Sequence, residues 1–174
     1  FGGILMKLRN MIMTSLLIAV GFVLHHITPP IMGGMRPDFL LAMMFVALYL
    51  DDSPKNAFLA GALSGIFAAL TTTFPGGQVG NIADKMVAAF AMILIIRAFS
   101  RFNPHFSVPA AAFIGTVISG VTFLSVALLV AGGLPMAFSA LFITVVIPAA
   151  VVNVITTYVC YNVVFATRKA IKRA

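Results

Sequence analysis

Acidic residues are scarce in this 174-residue chain. All 4 acids are aspartates, so glutamate is absent, and tryptophan is absent as well. An enzyme needs a general base or a nucleophile beside an activating partner, and the sequence offers no Ser/His/Asp arrangement and no paired glutamates. The three histidines also lack the Cys or Glu neighbours that metal-site spacing requires. We therefore expect no enzyme, no metal site and no cofactor held by this chain.

Cysteine and nucleotide-binding motifs are equally scarce. Cys160 is the only cysteine, which excludes an intrachain disulfide, and its place inside an apolar segment indicates a free, buried thiol. No Gly-x-x-x-x-Gly-Lys-Ser/Thr motif occurs, because the glycine-rich run from Gly76 to Gly80 lacks the lysine. The chain is therefore not expected to hydrolyse ATP, and transport would need a partner ATPase or an ion gradient.

Charge is scarce overall, and hydrophobic residues dominate. Only 9% of the residues are charged, 61% are hydrophobic, and the mean hydropathy is +1.12, whereas soluble domains carry about 25% charged residues. The apolar runs are too long for the core helices of a soluble fold. The composition predicts an all-α integral membrane protein. The net charge of +7 does not indicate nucleic-acid binding, since the basic residues lie in short loops and the tail between apolar runs.

Six apolar segments predict six transmembrane helices in one domain, residues 6–174. Residues 1–5 precede Met6 and could be a remnant of an added sequence. The segments cover residues 8–24, 39–50, 57–73, 81–96, 108–130 and 136–165. The second reaches only about 18 Å, short of the ~30 Å membrane core, so either the nearby Met-Gly-Gly-Met run enters the membrane or neighbouring helices shield a thin spot. The sixth outreaches the bilayer, so it should tilt, kink or emerge, and Pro148 is the expected position of a kink.

The basic residues predict the orientation. With six helices, both termini fall on one side, together with Lys7, Arg9, Lys55, Arg97, Arg101, Arg168, Lys169, Lys172 and Arg173. The other side carries Arg36 and Lys85. Because cytoplasmic loops carry an excess of lysine and arginine, we expect cytoplasmic N and C termini.

The three connections on the opposite, outer side share a composition. Each combines a Gly-Gly pair with proline, in residues 29–34, 75–77 and 132–135, and the inner loops contain no such pair. Glycine and proline break helices anywhere, but turn chemistry alone would not sort by side. We infer an outer face of irregular backbone that lines or closes over a ligand.

The stretch 71–85 holds the strongest functional signal on that face. Asp84 and Lys85 are adjacent there. A charge at the centre of a membrane helix costs about 2.5 to 3.5 kcal/mol, so such a charge indicates a functional site and a partner for the charge. Arg36 and Asp38 lie on the same side. Two cations and two anions suit a zwitterionic ligand, but the four charges could instead pair with each other, and Asp38 could cap the second helix.

Uncharged residues complete the predicted substrate site. Phe74, like Phe39, could stack on a ring. Gln78 and Asn81 add amides beside Asp84. Asn153, within the last apolar segment, needs an internal partner and could serve either the ligand or the structure.

Three segments resemble a known family. They are Pro29-Pro30 with Gly33-Gly34-Met35-Arg36-Pro37-Asp38, then Thr71 to Gln78 with Asn81 and Asp84-Lys85, and Pro148-Ala149-Ala150-Val151-Val152-Asn153. Over essentially the whole chain from Met6, the sequence resembles the bacterial tryptophan transporter family (TrpP). That family is similar in turn to the six-helix substrate-binding S components of energy-coupling factor (ECF) transporters. The resemblance implies tryptophan uptake across the bacterial plasma membrane, with a separate transmembrane scaffold and two cytoplasmic ATPase subunits that bind the ATP.

The first helix carries a candidate partner surface. Ser15 and Ala19, four residues apart, form a small-residue face that permits close helix packing, within this chain or against a partner. The resemblance implies contact with the scaffold, although S components usually show an alanine pair. A free-standing, ion-coupled amino-acid carrier, and an S component for another small aromatic or vitamin substrate, stay open as alternatives.

Overall fold

The computed structural model describes residues 2–28 and 38–171, and side chains within 8–28 and 38–170. Helices are the only regular elements in these ranges. They are α1 Gly2–Ile27, α2 Phe39–Leu50, α3 Pro54–Thr71, α4 Gly77–Ala98, α5 Pro104–Ala131, α6 Phe138–Leu141 and α7 Ile147–Ile171, and a π-helical turn, Phe142–Val146, joins α6 to α7. The all-α prediction is confirmed.

Within the ranges that the structure describes, four continuous helices are long and apolar enough to cross a membrane. They cover Leu8–Ile27, Gly77–Ala98, Pro104–Ala131 and Phe138–Ala170. α2 has only 12 residues, and α3, with 18, begins with Pro54, Lys55 and Asn56. The chain is thus a multi-pass membrane protein by length and composition, while the six-span count and the cytoplasmic termini stay predictions.

α2 lies at the centre of the bundle. Its residues 40–48 are all buried, and it packs against α1, α3, α4, α5 and α7. A helix that is apolar on every side belongs in such a position. Of the two alternatives for this short segment, shielding by neighbouring helices is therefore the one that the structure shows, and the Met-Gly-Gly-Met run lies outside the described residues.

Glycines bring α3 and α4 into close contact. A Cβ atom on Gly61 would lie 3.1 Å from the carbonyl oxygen of Lys85, and one on Gly65 would lie 3.0 Å from the Cα atom of Ile82. Small residues four apart permit this backbone approach. The contact fixes the part of α4 that carries the adjacent acid and base.

The last membrane helix is continuous but irregular. The N–H of Ile147 donates to the carbonyl of Phe142, five residues earlier, which closes the π-helical turn. Pro148 follows at once and cannot donate a backbone hydrogen bond. The irregular turn thus lies immediately before Pro148 and holds one residue more than an α-helical turn, and the kink expected at Pro148 stays a prediction.

The polar contacts between helices form two groups, one at each end of the bundle. At one end, Thr14 Oγ1 donates to Asn56 Oδ1 at 2.8 Å, and Arg97 Nε donates to Asp52 Oδ2 at 3.0 Å. Asp38 and Lys85 meet at the other end, where α2 and α4 begin. The buried charges therefore lie away from the end that holds most of the basic residues.

Candidate functional site

A cavity of about 330 Å³ lies beside the N-termini of α2 and α4. This volume falls at the lower end of the range of small-molecule sites, about 300 to 1,000 Å³. The end of α1, the start of α2, the α3–α4 turn, α4, α5 and the π-helical turn all contribute. The lining residues are His25, Asp38, Leu41, Thr72, Phe74, Asn81, Asp84, Lys85, Thr116, Ser119, Gly120, Phe123, Leu124, Leu141, Val145, Val146, Ala149 and Asn153.

Lys85 pairs with two carboxylates at the cavity wall. Its Nζ atom lies 2.7 Å from Asp38 Oδ2 and 3.1 Å from Asp84 Oδ2. The exposed fractions of Lys85 and Asp84 are 1% and 2%, and burial of an unpaired charge would cost several kcal/mol. The internal pairing that the sequence left open is therefore present for these three residues, with one cation between two anions.

Asp84 keeps one oxygen available. Its Oδ2 atom also accepts a hydrogen bond from Ser119 Oγ at 2.5 Å, whereas its buried Oδ1 atom has no hydrogen-bond partner among the described residues. A buried carboxylate oxygen without a donor is costly and calls for an explanation. Since Asp84 lines the cavity, a ligand donor is a chemically suitable partner.

Asp38 both caps a helix and lines the cavity. Its Oδ1 atom accepts from the N–H of Leu41 at 2.9 Å, which caps α2. Its backbone N–H donates to Asn153 Oδ1 at 3.2 Å, and Asn153 Nδ2 donates to Thr116 Oγ1 at 3.5 Å. The fully buried Asn153 thus joins α2, α5 and α7, so its structural role is present and its amide also faces the cavity.

A tight turn places Phe74 at the cavity. The N–H of Gly77 donates to the carbonyl of Phe74 at 2.9 Å, and Gly76 adopts a positive φ of 69°. A side chain at Gly76 would also meet the carbonyl oxygen of Ala127 at 2.8 Å, so this position requires glycine. The Phe74 ring packs against Phe123, with 5.2 Å between the ring centroids, and the two rings form an aromatic wall.

One face of α5 forms most of the remaining wall. Thr116, Ser119, Gly120, Phe123 and Leu124 line the cavity at the three- and four-residue spacing of one helix face. Val145 and Val146 of the π-helical turn also line the cavity. The cavity lining therefore combines charged groups from Asp38 and α4, hydroxyl groups from α5, and apolar and aromatic side chains.

Six of the eight predicted substrate-site residues line this cavity: Asp38, Phe74, Asn81, Asp84, Lys85 and Asn153. Asn81 also donates from Nδ2 to the carbonyl of Gly77 at 2.8 Å. Gln78 is exposed and is not among the lining residues. Arg36 lies outside the described residues. Their roles in ligand binding all stay predictions.

Sequence reasoning left the contributions of α5 and the π-helical turn unassigned. Thr116 and Ser119 are three residues apart within an apolar helix, which is a signal that helical spacing could have used. Val145 and Val146 carry no such signal, because their position depends on the π-helical turn.

The candidate partner residues on α1 lie away from this cavity. Ser15 is half-buried and Ala19 is exposed. Gly21, by contrast, packs against α2, where an added Cβ would lie 2.9 Å from the carbonyl oxygen of Phe39. Packing within the described chain therefore uses Gly21 and leaves Ala19 uncovered.

Comparison with known proteins identifies the family. The model of the tryptophan transporter TrpP family matches residues 7–169. The chain belongs to the TrpP tryptophan transporter family. Its relatives include a probable tryptophan transport protein of Clostridium acetobutylicum, 42% identical over 97% of this chain and 98% of the relative.

Two further TrpP relatives carry the same description. The protein of Bacillus subtilis is 43% identical over 91% of this chain and 92% of its own length, and that of Clostridium perfringens is 36% identical over 97% and 98%. No solved structure matches the chain. The resemblance to the TrpP family is confirmed. The chain is a member of a transporter family, and several of its helices are long and apolar enough to cross a membrane.

Proposed function

We propose that this chain is the substrate-binding S component of an ECF-type transporter for tryptophan. The family assignment supports tryptophan as the substrate class. The observation that carries the proposal is the cavity, which brings buried charges and an aromatic wall together at one end of the bundle. A small aromatic amino acid has the same division between a charged end and a flat apolar ring.

The charged end would bind the α-amino and α-carboxyl groups. The free Asp84 Oδ1 atom suits the ammonium group, because a charge-assisted hydrogen bond would satisfy it. Lys85 has three N–H donors, and two carboxylates occupy two of them. The third donor, the Asn81 and Asn153 amides and the predicted Arg36 are candidates for the carboxylate. Phe74 and Phe123 would stack on the indole.

Asp84→Asn tests the ammonium site. Loss of a buried charge-assisted hydrogen bond of about 1.5 to 3 kcal/mol corresponds to about a 10- to 100-fold weaker affinity. Because the chain has no tryptophan, ligand indole fluorescence can be followed directly in a titration of the purified protein. Asp52→Asn, at the opposite end of the bundle, is the control and should bind normally.

Two tryptophan analogues separate the two ends of the ligand. Tryptamine keeps the ammonium and lacks the carboxylate, and indole-3-propionate is the reverse. Asp84→Asn should weaken tryptamine binding and spare indole-3-propionate, whereas Arg36→Ala should do the opposite. Unchanged affinities in both variants would remove the zwitterion assignment.

The energy source distinguishes the S component from its alternative, a free-standing ion-coupled carrier. The sequence lacks a phosphate-binding motif, so an S component would require partner ATPase subunits for uptake. Mild purification of the tagged chain from its own membranes should recover a transmembrane scaffold and two ATPase subunits. Tryptophan uptake by vesicles that contain the purified chain alone, driven by an ion gradient, would favour the carrier instead.

A further inference from the structure

A second groove lies at the opposite end of the bundle, between α1 and α7. Its volume is about 320 Å³, and it is lined by Arg9, Asn10, Met13, Leu17, Leu50, Val163, Val164, Thr167 and Arg168. α1 and α7 each pack against α2 and, within the described residues, pack only slightly or not at all against each other. The groove therefore opens sideways, with the last residue of α2 among its lining.

The groove divides into an apolar part and a cationic rim. Met13, Leu17, Leu50, Val163 and Val164 supply hydrocarbon. Arg9 and Arg168 supply two guanidinium groups, one from each helix, and neither forms an ion pair within the part of the chain that the structure describes. Asp51, which follows α2, accepts hydrogen bonds from the groove residue Asn10, through Nδ2 at 3.3 Å, and from the N–H of Ser53 at 3.0 Å.

We propose that this groove binds one anionic phospholipid, with its phosphate between Arg9 and Arg168 and one acyl chain along the apolar part. Guanidinium groups bind phosphate oxygens in a bidentate geometry. Basic pockets between transmembrane helices recognise anionic lipid head groups. The occupant must offer an anion and a hydrocarbon chain side by side, next to a sideways opening, and a phospholipid has this chemistry. The proposal is independent of the substrate cavity.

The absence of tryptophan from the chain allows a local test. Val163→Trp places a single indole in the groove, and Val159→Trp is the control. The two positions are similarly exposed, Val163 to 59% and Val159 to 54%. Val159 is four residues earlier on α7 and is not among the groove residues. Each variant is reconstituted without ligand into vesicles of phosphatidylglycerol and phosphatidylcholine, with bromine, a quencher, on the acyl chains of one lipid at a time.

Preferential quenching by brominated phosphatidylglycerol is expected at position 163 and not at position 159. Arg9→Gln with Arg168→Gln should lower the preference at position 163 by about 30-fold, because each basic residue removed accounts for about fivefold. Arg101→Gln, an exposed basic residue outside the groove, should leave it unchanged. Equal quenching by both lipids at position 163 would overturn the proposal, as would an equal loss in the Arg101→Gln variant. An indole that neither lipid quenches would mean that a second copy or a partner helix fills the groove, which also overturns it.

Native mass spectrometry of the unmodified chain gives a second, independent measurement. Phosphatidylglycerol should remain bound to the protein at higher collision energy than phosphatidylcholine does, and the double arginine variant should lose that difference. Retention that is identical for the two lipids would contradict the proposal even if the tryptophan variants failed to fold.

Discussion

Lys85 is the residue on which the charged end of the cavity depends. It lies between Asp38 and Asp84 and neutralises one of the two negative charges. The scarcity of charge made Asp84 and Lys85 visible in the sequence. The pairing of Lys85 with Asp38, 47 residues away, was only one of the alternatives in the sequence, because it depends on the approach of α2 to α4. The sequence left internal pairing and ligand binding as alternatives. The structure shows the pairing, and ligand binding by Asp84 Oδ1, which has no partner among the described residues, stays a prediction.

Lys85→Met should destabilise the protein strongly. It leaves two buried carboxylates without a cation, and removal of one partner from a buried ion pair costs about 3 to 5 kcal/mol. Thermal unfolding in detergent measures the change. Arg97→Gln is the control, since it breaks the exposed Arg97–Asp52 pair, for which about 0 to 1 kcal/mol is expected. Similar small losses in both variants would mean that Lys85 is not needed to neutralise the site.

At the scale of elements, the π-helical turn and α5 shape the apolar part of the cavity. Gly120 lies against the turn so closely that an added Cβ would come within 2.5 Å of Val146 Cγ1. The sequence predicted a kink at Pro148 in the last apolar segment. The π-helical turn could not be predicted, because no residue type or spacing in the sequence marks where one extra residue is inserted into a helix. The approach of Gly120 to Val146 follows from that insertion.

Gly120→Ala should therefore weaken tryptophan binding and stability together. Insertion of a methyl group into a tightly packed contact costs about 1 to 3 kcal/mol, and the displaced Val146 would move within the cavity wall. Gly133→Ala is the matched control, since a Cβ there meets nothing within 4 Å, and its effect should stay within about 0.5 kcal/mol. Fluorescence titration and thermal unfolding measure both quantities. Normal affinity in Gly120→Ala would show that this contact does not shape the site.

At the scale of the whole molecule, the substrate cavity and the candidate partner surface on α1 lie at different places on the bundle. The cavity lies at the end where α2 and α4 begin, and the exposed Ala19 lies on α1, which contributes His25 alone to the cavity lining. Hydropathy was sufficient to predict the helical fold, whereas the outer, site-bearing face assigned from loop charge stays a prediction. Apolar length alone does not fix the number of membrane spans, because the short α2 is buried by neighbouring helices instead of by lipid.

Ala19→Leu should spare tryptophan binding and block uptake by the intact transporter. The larger side chain would prevent close approach of a partner helix to α1, while Ala19 is not among the residues that line the cavity. Binding to the purified chain and uptake by cells are measured in parallel. Val87→Leu, at an exposed apolar position on α4, is the control and should support uptake. Normal uptake in Ala19→Leu would mean that α1 is not the partner surface.

The central claim is that the cavity of this chain binds tryptophan without a partner subunit. A titration of the purified chain with tryptophan tests it most directly, because the protein contributes no indole emission of its own. We predict a saturable change in ligand emission that non-fluorescent tryptophan analogues compete away and that thiamin and riboflavin do not. A folded chain that gives no saturable change would contradict the claim.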